Sequence, residues 1–184
     1  MARPRTIMKD DILDAAERVV MKLGASGLSI DAVAKEAGIS KAMVVYDHKS
    51  KSALLEALID RRMKIEIDRQ AQEVANATDT PHPELFGRIK VAEVTMTDLD
   101  RAVAMAIGAS VSQDEKVQKL MRDWTLMDLK AMSEGPKPEA ALMAYLALTG
   151  IYVTELFAFH QWTEEERAKI LEGVRTIYAT YPDP

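Results

Sequence analysis

From Ile12 to Tyr178 apolar residues return every three or four positions, and no run alternates apolar with polar between turn residues. This is the period of a helix and not of a strand, so the fold is expected to be all-α, each helix burying one stripe. Ile12, Ala16, Val19, Val20 and Leu23 make the stripe of a first helix that stops at Gly24, where positive φ is tolerated. Ser29 caps a short second helix carrying Val33, Ala34 and Ala37, and Gly38 ends it. Ser40 caps a third, Lys41 to Asp47, and Ser50 opens a longer fourth with Leu54, Leu55, Leu58 and Ile65 along one side. NATDTPHP, residues 76–83, is the clearest break in the chain, with His82 in a loop between its prolines.

Beyond the break, helices are predicted over 84–95, 98–111 and 114–132, the last with Val117, Leu120, Met121, Trp124 and Met127 as one stripe. SEGPKPE is a turn. The next helix, Glu139 to His160, is apolar on nearly every side, and a helix buried all round needs more partners than one small chain supplies, which points to a subunit interface. His160 falls in its last turn, where a cation complements the helix dipole. Thr163 and Glu166 form a capping box that opens a final helix with Ile170, Leu171, Val174, Ile177 and Tyr178 on one face.

Composition narrows the chemistry. The chain has no cysteine, which removes disulfides, thiolate metal sites and cysteine nucleophiles. Its three histidines, His48, His82 and His160, show no ligand spacing, so no metal is expected. Neither a nucleophile–base–orienter set nor a phosphate-cradling glycine loop is present, which argues against an enzyme and implies no cofactor. The N-terminal MARPRTIMKDD lacks the apolar stretch of a secretory leader, and no window is expected to span a bilayer, so the protein is read as cytoplasmic, without a membrane partner. Net charge is −5, unevenly placed: residues 1–51 hold nine Lys/Arg against seven Asp/Glu, and the remainder fifteen against twenty-two. A basic-leaning head on an acidic body is the asymmetry to follow.

The head carries AGISKAMVVYDHKSKSALL, residues 37–55. Two short helices joined by a three- or four-residue turn containing glycine make a helix-turn-helix, whose second member enters the DNA major groove. Ala34 is small where the helices approach, and Ile39 and Val44 are apolar where the second helix pins itself to the first. Ser40, Lys41, Ala42, Met43 and Tyr46 then lie at the reading surface, with Asp47 beside them. Lys41 is suited to guanine O6 or N7, and Ala42 and Met43 to a thymine methyl. Lys49 and Lys51, with Arg3 and Arg5 on an N-terminal arm, are placed for phosphate. On spacing alone, a helix pair around a glycine also occurs in bundles that bind nothing.

Residues 5–58 resemble the TetR-type (tetracycline-repressor-like) bacterial transcription regulators: ILDAAERVV, Gly24, the SIDAVAKEAGISK block and the KSKSALLEAL entry to the fourth helix carry the likeness. The resemblance implies a helix-turn-helix DNA-binding domain over 1–52 and a helical effector-binding and dimerisation domain over 53–184. It implies a homodimer on double-stranded operator DNA, and a repressor released by a small hydrophobic effector. The chain departs from the family pattern at Val45, where a tyrosine is typical, and at His48, where a phenylalanine is typical; Asp47 adds a repulsive charge. These departures keep open the alternative of a regulator-derived interaction protein with weakened DNA binding; a helical enzyme is a separate and less favoured alternative.

A ligand-responsive regulator needs a second site whose occupancy biases its states. Eleven methionines are a high usage, and methionine adapts to irregular ligands. Met96, Met105, Met121, Trp124, Met127, Thr149, Tyr152 and Glu155 are the effector-pocket candidates, ordinary core packing being the alternative for each. Glu155 stands in the apolar run YVTELFAF, where it is an exposed edge, a partner salt bridge, or a contact for a cationic or hydrogen-bonding effector. Tyr145, Gly150, Val153, Phe157, Val174, Ile177 and Tyr178 are the dimer-interface candidates, on two helices that would form a four-helix bundle with a second copy.

Overall fold

A computed structural model describes residues 5–111 and 114–182, with side chains from residue 9 onward except at 25 and 111. Among the described residues every regular element is a helix. Most helices begin on a side-chain cap that the local sequence supplies. Helix α1, Arg5–Gly27, leaves helical geometry at Gly24 (φ 68°, ψ −176°), so the expected stop is a kink with one further turn after it. Helix α2, Ile30–Ala37, starts where Ser29 Oγ accepts from the Ala32 N–H at 3.1 Å, and α3, Lys41–Asp47, where Ser40 Oγ accepts from Met43 at 3.3 Å. Helix α4, Lys51–Asn76, opens on Ser50, which accepts from Ala53 at 3.1 Å.

Helix α5, Pro83–Glu93, begins on His82, whose Nδ1 accepts from the Leu85 N–H at 3.2 Å. His82 is therefore no loose loop residue: it is 3% exposed and stands edge-on to Tyr178. Helix α6, Asp98–Val111, is closed by a reciprocal pair, Asp100 N–H to Thr97 Oγ1 at 3.1 Å and Thr97 N–H to Asp100 Oδ2 at 3.2 Å. Helix α7, Glu115–Ser133, starts beneath the Asp114 carboxylate. Helix α9, Glu164–Thr180, has the capping box expected of Thr163 and Glu166, with both bonds made.

Helix α8, Pro138–Leu156, stops four residues short of the expected end. The Phe159 N–H reaches the Thr154 carbonyl at 3.0 Å and the Ala158 N–H the Glu155 carbonyl at 3.1 Å, the paired bonds of a Schellman ending. The left-handed position of that motif is usually glycine, and here it is Ala158 at φ 51°. His160 thus lies beyond the helix, exposed, with its ring 4.3 Å from that of Trp162, and does not act on the α8 dipole. By length and composition α8 is apolar enough to cross a bilayer, contrary to the expectation that no window is. Ala140, Ala141, Ala144, Leu148 and Ile151 are buried on one side of the helix, while Leu146, Tyr152 and Val153 are exposed on the others.

The chain forms two compact units, Met1–Lys64 with Thr97–Gln118, and Ile65–Met96 with Lys119–Pro184. The sequence boundary at 52/53 differs from this division, which falls inside α4 and takes α6 into the first unit. The first unit buries Ile12, Ala16, Val19 and Val20 of α1 together with Val33, Val44, Leu54, Leu58, Val103 and Ala106. The second unit packs Leu85, Ile89 and Met132 against α8 alanines and against Leu171, Val174 and Tyr178 of α9. Val174 and Tyr178, expected at a dimer interface, are only 2% and 3% exposed within one chain. The cause is simple: α9 turns these two side chains onto α5 and α8, while Ile170 and Ile177 of the same stripe stay only partly buried. Close approach within the unit uses Gly87, where an added Cβ would lie 2.7 Å from the Val74 backbone nitrogen, whereas Gly150 faces open space.

An alanine in the left-handed region costs about 1–2 kcal/mol that glycine does not incur. Ala158→Gly is therefore expected to raise stability by roughly 0.5–1 kcal/mol after glycine's larger entropy loss, read as a higher midpoint in thermal or urea unfolding; an unchanged or lower midpoint contradicts the strain assigned there.

Candidate nucleic-acid interface

Helices α2 and α3 are joined by Gly38, Ile39 and Ser40. The Ile39 N–H donates to the Ala34 carbonyl at 3.1 Å and the Gly38 N–H to that of Lys35 at 3.3 Å, so α2 also ends in a Schellman motif. Gly38 has φ 66°, and a Cβ there would meet nothing within 4 Å; the glycine answers the backbone's hand and not a lack of space. From this turn α3 emerges with Val44 completely buried. That one residue fixes the helix's rotation, and the opposite side faces outward: Ala42 is exposed, Met43 37%, Val45 38% and Tyr46 68%.

Ser40 belongs to the cap. Lys41 is outward but not idle, since its Nζ lies 2.9 Å from Asp31 at the start of α2. Lys49 and Lys51 are exposed just past α3. Arg3 lies outside the described residues, and so does the side chain of Arg5. Val45 occupies an outward position, so the tyrosine typical there would also face outward. His48 is 8% exposed beneath the end of α3, and its backbone N–H closes that helix onto the Val44 carbonyl at 2.7 Å. Burial pushes its imidazole below the ordinary value, opposed by the Asp47 charge and a backbone hydrogen bond with Ala53, and assisted by Lys9.

The surroundings of α3 are more acidic than the sequence count conveys. A cavity of about 350 Å³ is lined by Asp11, Asp14, Arg18 and Asp47 over Ile12, Ile39 and Met43. Arg18 and Lys22 both converge on Glu36, at 2.9 and 2.8 Å, which holds its carboxyl below the usual range. Sequence reading missed Glu36 and Asp31 because neither pairs at helical spacing; the contacts arise only when the helices cross.

The effector candidates are dispersed. Met105 is 42% exposed on α6 in the first unit. Met96, Met121 and Trp124 are half-buried in the second unit, where Met127, Thr149 and Tyr152 are exposed. The Tyr152 hydroxyl is pushed up by burial and by the Glu66 charge. Glu155 is not an exposed edge of its helix, its side chain being 14% exposed. It is bound within the chain by Arg167, Nε to Oε1 at 2.5 Å and Nη2 to Oε2 at 3.3 Å. Arg167 is buried and also donates to the carbonyls of Glu93 and Val94, a cluster invisible to sequence. Tyr145, an interface candidate, turns its hydroxyl inward to Asp128 at 3.0 Å, and burial, followed by the Asp128 charge, raises it. Asp128 in turn holds Arg88 at 2.6 Å. Val153 and Phe157 are 37% and 45% exposed, Gly150 is open and Ile177 is half-buried.

Comparison with known proteins addresses both parts of the chain. Residues 12–58 match the family model described as bacterial regulatory proteins, tetR family, and residues 90–177 match the model described as tetracyclin repressor-like, C-terminal domain. No curated protein matches the chain in sequence. Among solved structures, a protein described as a transcriptional regulator of Saccharomonospora viridis, in complex with choline, superposes with TM-score 0.77 at 16% identity, covering 98% of this chain and 100% of that one. One described as a TetR-family regulator of Mesorhizobium loti gives 0.74 at 17% identity, covering 96% and 98%. NalD, described as the secondary repressor of a multidrug efflux pump in Pseudomonas aeruginosa, gives 0.64 at 14% identity, covering 91% and 94%. At these identities the structures speak for the fold.

His48 makes a pH dependence. Because its folded pKa is depressed, the unfolded chain takes up the proton first; the residue's contribution is complete above about pH 6.5, the ordinary imidazole value, and is lost as pH falls through the lower folded value. The buried Nε2 has no hydrogen-bond partner, so His48→Phe removes an unsatisfied polar atom and gives up only the backbone hydrogen bond with Ala53. The variant is expected to keep or raise the melting temperature at pH 7.5 and to flatten its decline between about pH 6.5 and 5. A decline as steep as wild type assigns the effect elsewhere.

Proposed function

The chain belongs to the TetR family of bacterial regulatory proteins, and from that premise we propose that it is a cytoplasmic, homodimeric, DNA-binding transcriptional regulator that responds to a ligand, acting as a repressor released from its operator by a small hydrophobic effector. The single observation that carries the DNA-binding part is the rotation of α3: Val44 is buried while Lys41, Ala42, Met43 and Tyr46 face out. Lys41, Ala42 and Met43 read base edges; Lys49 and Lys51, with Arg3 and Arg5, meet phosphate, and Ser40 sets the register of the helix. The dimer is supported by the apolar surface that α8 leaves uncovered in one chain, with Leu146, Val153 and Phe157 between 37% and 50% exposed.

For the effector we propose a hydrophobic molecule with cationic or donor character, taken up in the second unit among Met96, Met121, Trp124, Met127, Thr149 and Tyr152. The choline held by the Saccharomonospora viridis protein matches the cationic and donor part of this chemistry in the same fold. Glu155 serves such a ligand only if it leaves Arg167. A second reading, an interaction protein with weakened operator binding, draws on Asp11, Asp14 and Asp47 beside α3 and on Val45.

Two measurements test these proposals. In anisotropy titrations across a salt series, Lys51→Ala is expected to weaken every duplex alike and to reduce the salt slope by about 0.9, while Lys41→Ala also relaxes sequence preference; equal loss from both on all duplexes removes Lys41 from base reading, and weak unselective binding by wild type favours the second reading. In thermal-shift assays with hydrophobic quaternary ammonium compounds, the ligand-induced increment is expected to shrink in Glu155→Gln. An undiminished increment removes Glu155 from the effector site.

A further inference from the structure

Among the described residues Glu17 of α1 is the one acid that is buried, and its Oε1 has no hydrogen-bond partner. Two guanidinium groups of α4 stand before it at ion-pair distance, Arg61 Nη2 3.5 Å from Oε2 and Arg62 Nη1 3.9 Å from Oε1, too far to hydrogen-bond. Each is drawn aside by a second acid, Arg61 by Asp14 on α1 and Arg62 by Asp100 on α6. Asp100 has another task. Its Oδ2 accepts from the Thr97 N–H at 3.2 Å and from the Thr97 hydroxyl at 2.6 Å, closing the start of α6. All of these residues belong to the first unit, and Thr97 is where the chain re-enters that unit after the stretch ending at Met96. A displacement of that stretch is passed along the backbone to the turn of α6 that Arg62 grips.

We propose that Arg62 is a two-partner switch, tying α4 to α6 while Asp100 is in place and passing to Glu17 when the first turn of α6 is drawn away. The switch gives the ligand response proposed above a route into the head, and rests on that reading for the source of the displacement. Each of its states leaves one acid short of a partner. With Asp100 engaged, a buried carboxylate oxygen goes without its hydrogen bond; with Glu17 engaged, that oxygen is satisfied and Asp100, its side chain already 38% exposed, is left to water. A largely buried guanidinium stripped of every carboxylate is costly. The exchange never passes through that arrangement, because Arg62 already faces Glu17. The outcome is that α6 is let go while α1 and α4 stay joined, so a signal arriving at α6 leaves the helix-turn-helix folded.

The test uses the full-length protein and neither ligand nor DNA, so its failure leaves the proposed function standing. Asp100→Asn keeps an oxygen for the Thr97 cap and removes the charge that holds Arg62. In a crystal structure of this variant, Arg62 Nη1 is expected to close from 3.9 Å to about 3 Å from Glu17 Oε1. In hydrogen exchange, its amides 98–103 are expected to open roughly fivefold more readily, the loss of one partly exposed ion pair, while amides 13–20 of α1 keep wild-type protection. Arg62→Gln leaves Glu17 only Arg61 and is expected to raise exchange in both segments. If Arg62→Gln does not fold, the Arg62 position and the α1 protection in Asp100→Asn decide alone. An Arg62 that stays 3.9 Å from Glu17 in Asp100→Asn, or α1 amides that lose protection there along with those of α6, makes the network a fixed clamp and overturns the proposal.

Discussion

A helix of seven residues does not persist alone in water, because nucleation costs more than so few backbone bonds return. Helix α3 exists because Val44 is buried in the first unit and because both ends are closed, by Ser40 at the start and by the His48 N–H at the finish. Burying a valine contributes about 1.5–3 kcal/mol, and the Ser40 cap about 1 kcal/mol. These few contacts set the rotation of the helix. Lys41, Ala42, Met43, Val45 and Tyr46 are outward as a consequence, since any other rotation returns Val44 to water. The DNA-binding proposal depends on that one anchored side chain.

Charge is allocated in two ways. In the first unit, Arg18 and Lys22 share Glu36, Lys41 sits on Asp31, and Arg61 reaches both Asp14 and Glu17. Arg62 joins Asp100, which also closes the start of α6. The head is basic by count but not by bare surface; Glu17 is buried, whereas Lys41–Asp31, exposed on both sides, binds weakly enough to exchange partners. In the second unit, Arg167 is buried and Arg88 half-buried, each tied to a carboxylate and to the backbone. A guanidinium is tolerated there because it is paired and hydrogen-bonded at once; removing one partner of such a buried pair costs about 3–5 kcal/mol. The exposed pairs are thus available to a ligand, and the buried ones hold helices together.

How far the sequence could be read follows from the range of each interaction. The caps at Ser29, Ser40, Ser50 and Thr163 and the turn at Gly38 were legible because cap and partner lie within three residues. The end of α8 was not, because an alanine took the left-handed position that glycine usually marks. Periodicity identified Val174 and Tyr178 as an apolar stripe but was silent on whether that stripe met this chain or another. Glu155 looked like an unpaired carboxylate because its arginine lies across a loop on the next helix.

By itself the sequence determined the all-helical class, nearly every helix start, the helix-turn-helix and the residues on its outward side, since all of these rest on period and on bonds spanning a few positions. The tertiary structure alone decided which apolar stripes are used up within one chain, that Asp31 holds Lys41, and that Arg167 occupies Glu155. These pairings join residues on different helices, whose separation in space depends on how the helices cross and not on their spacing along the chain.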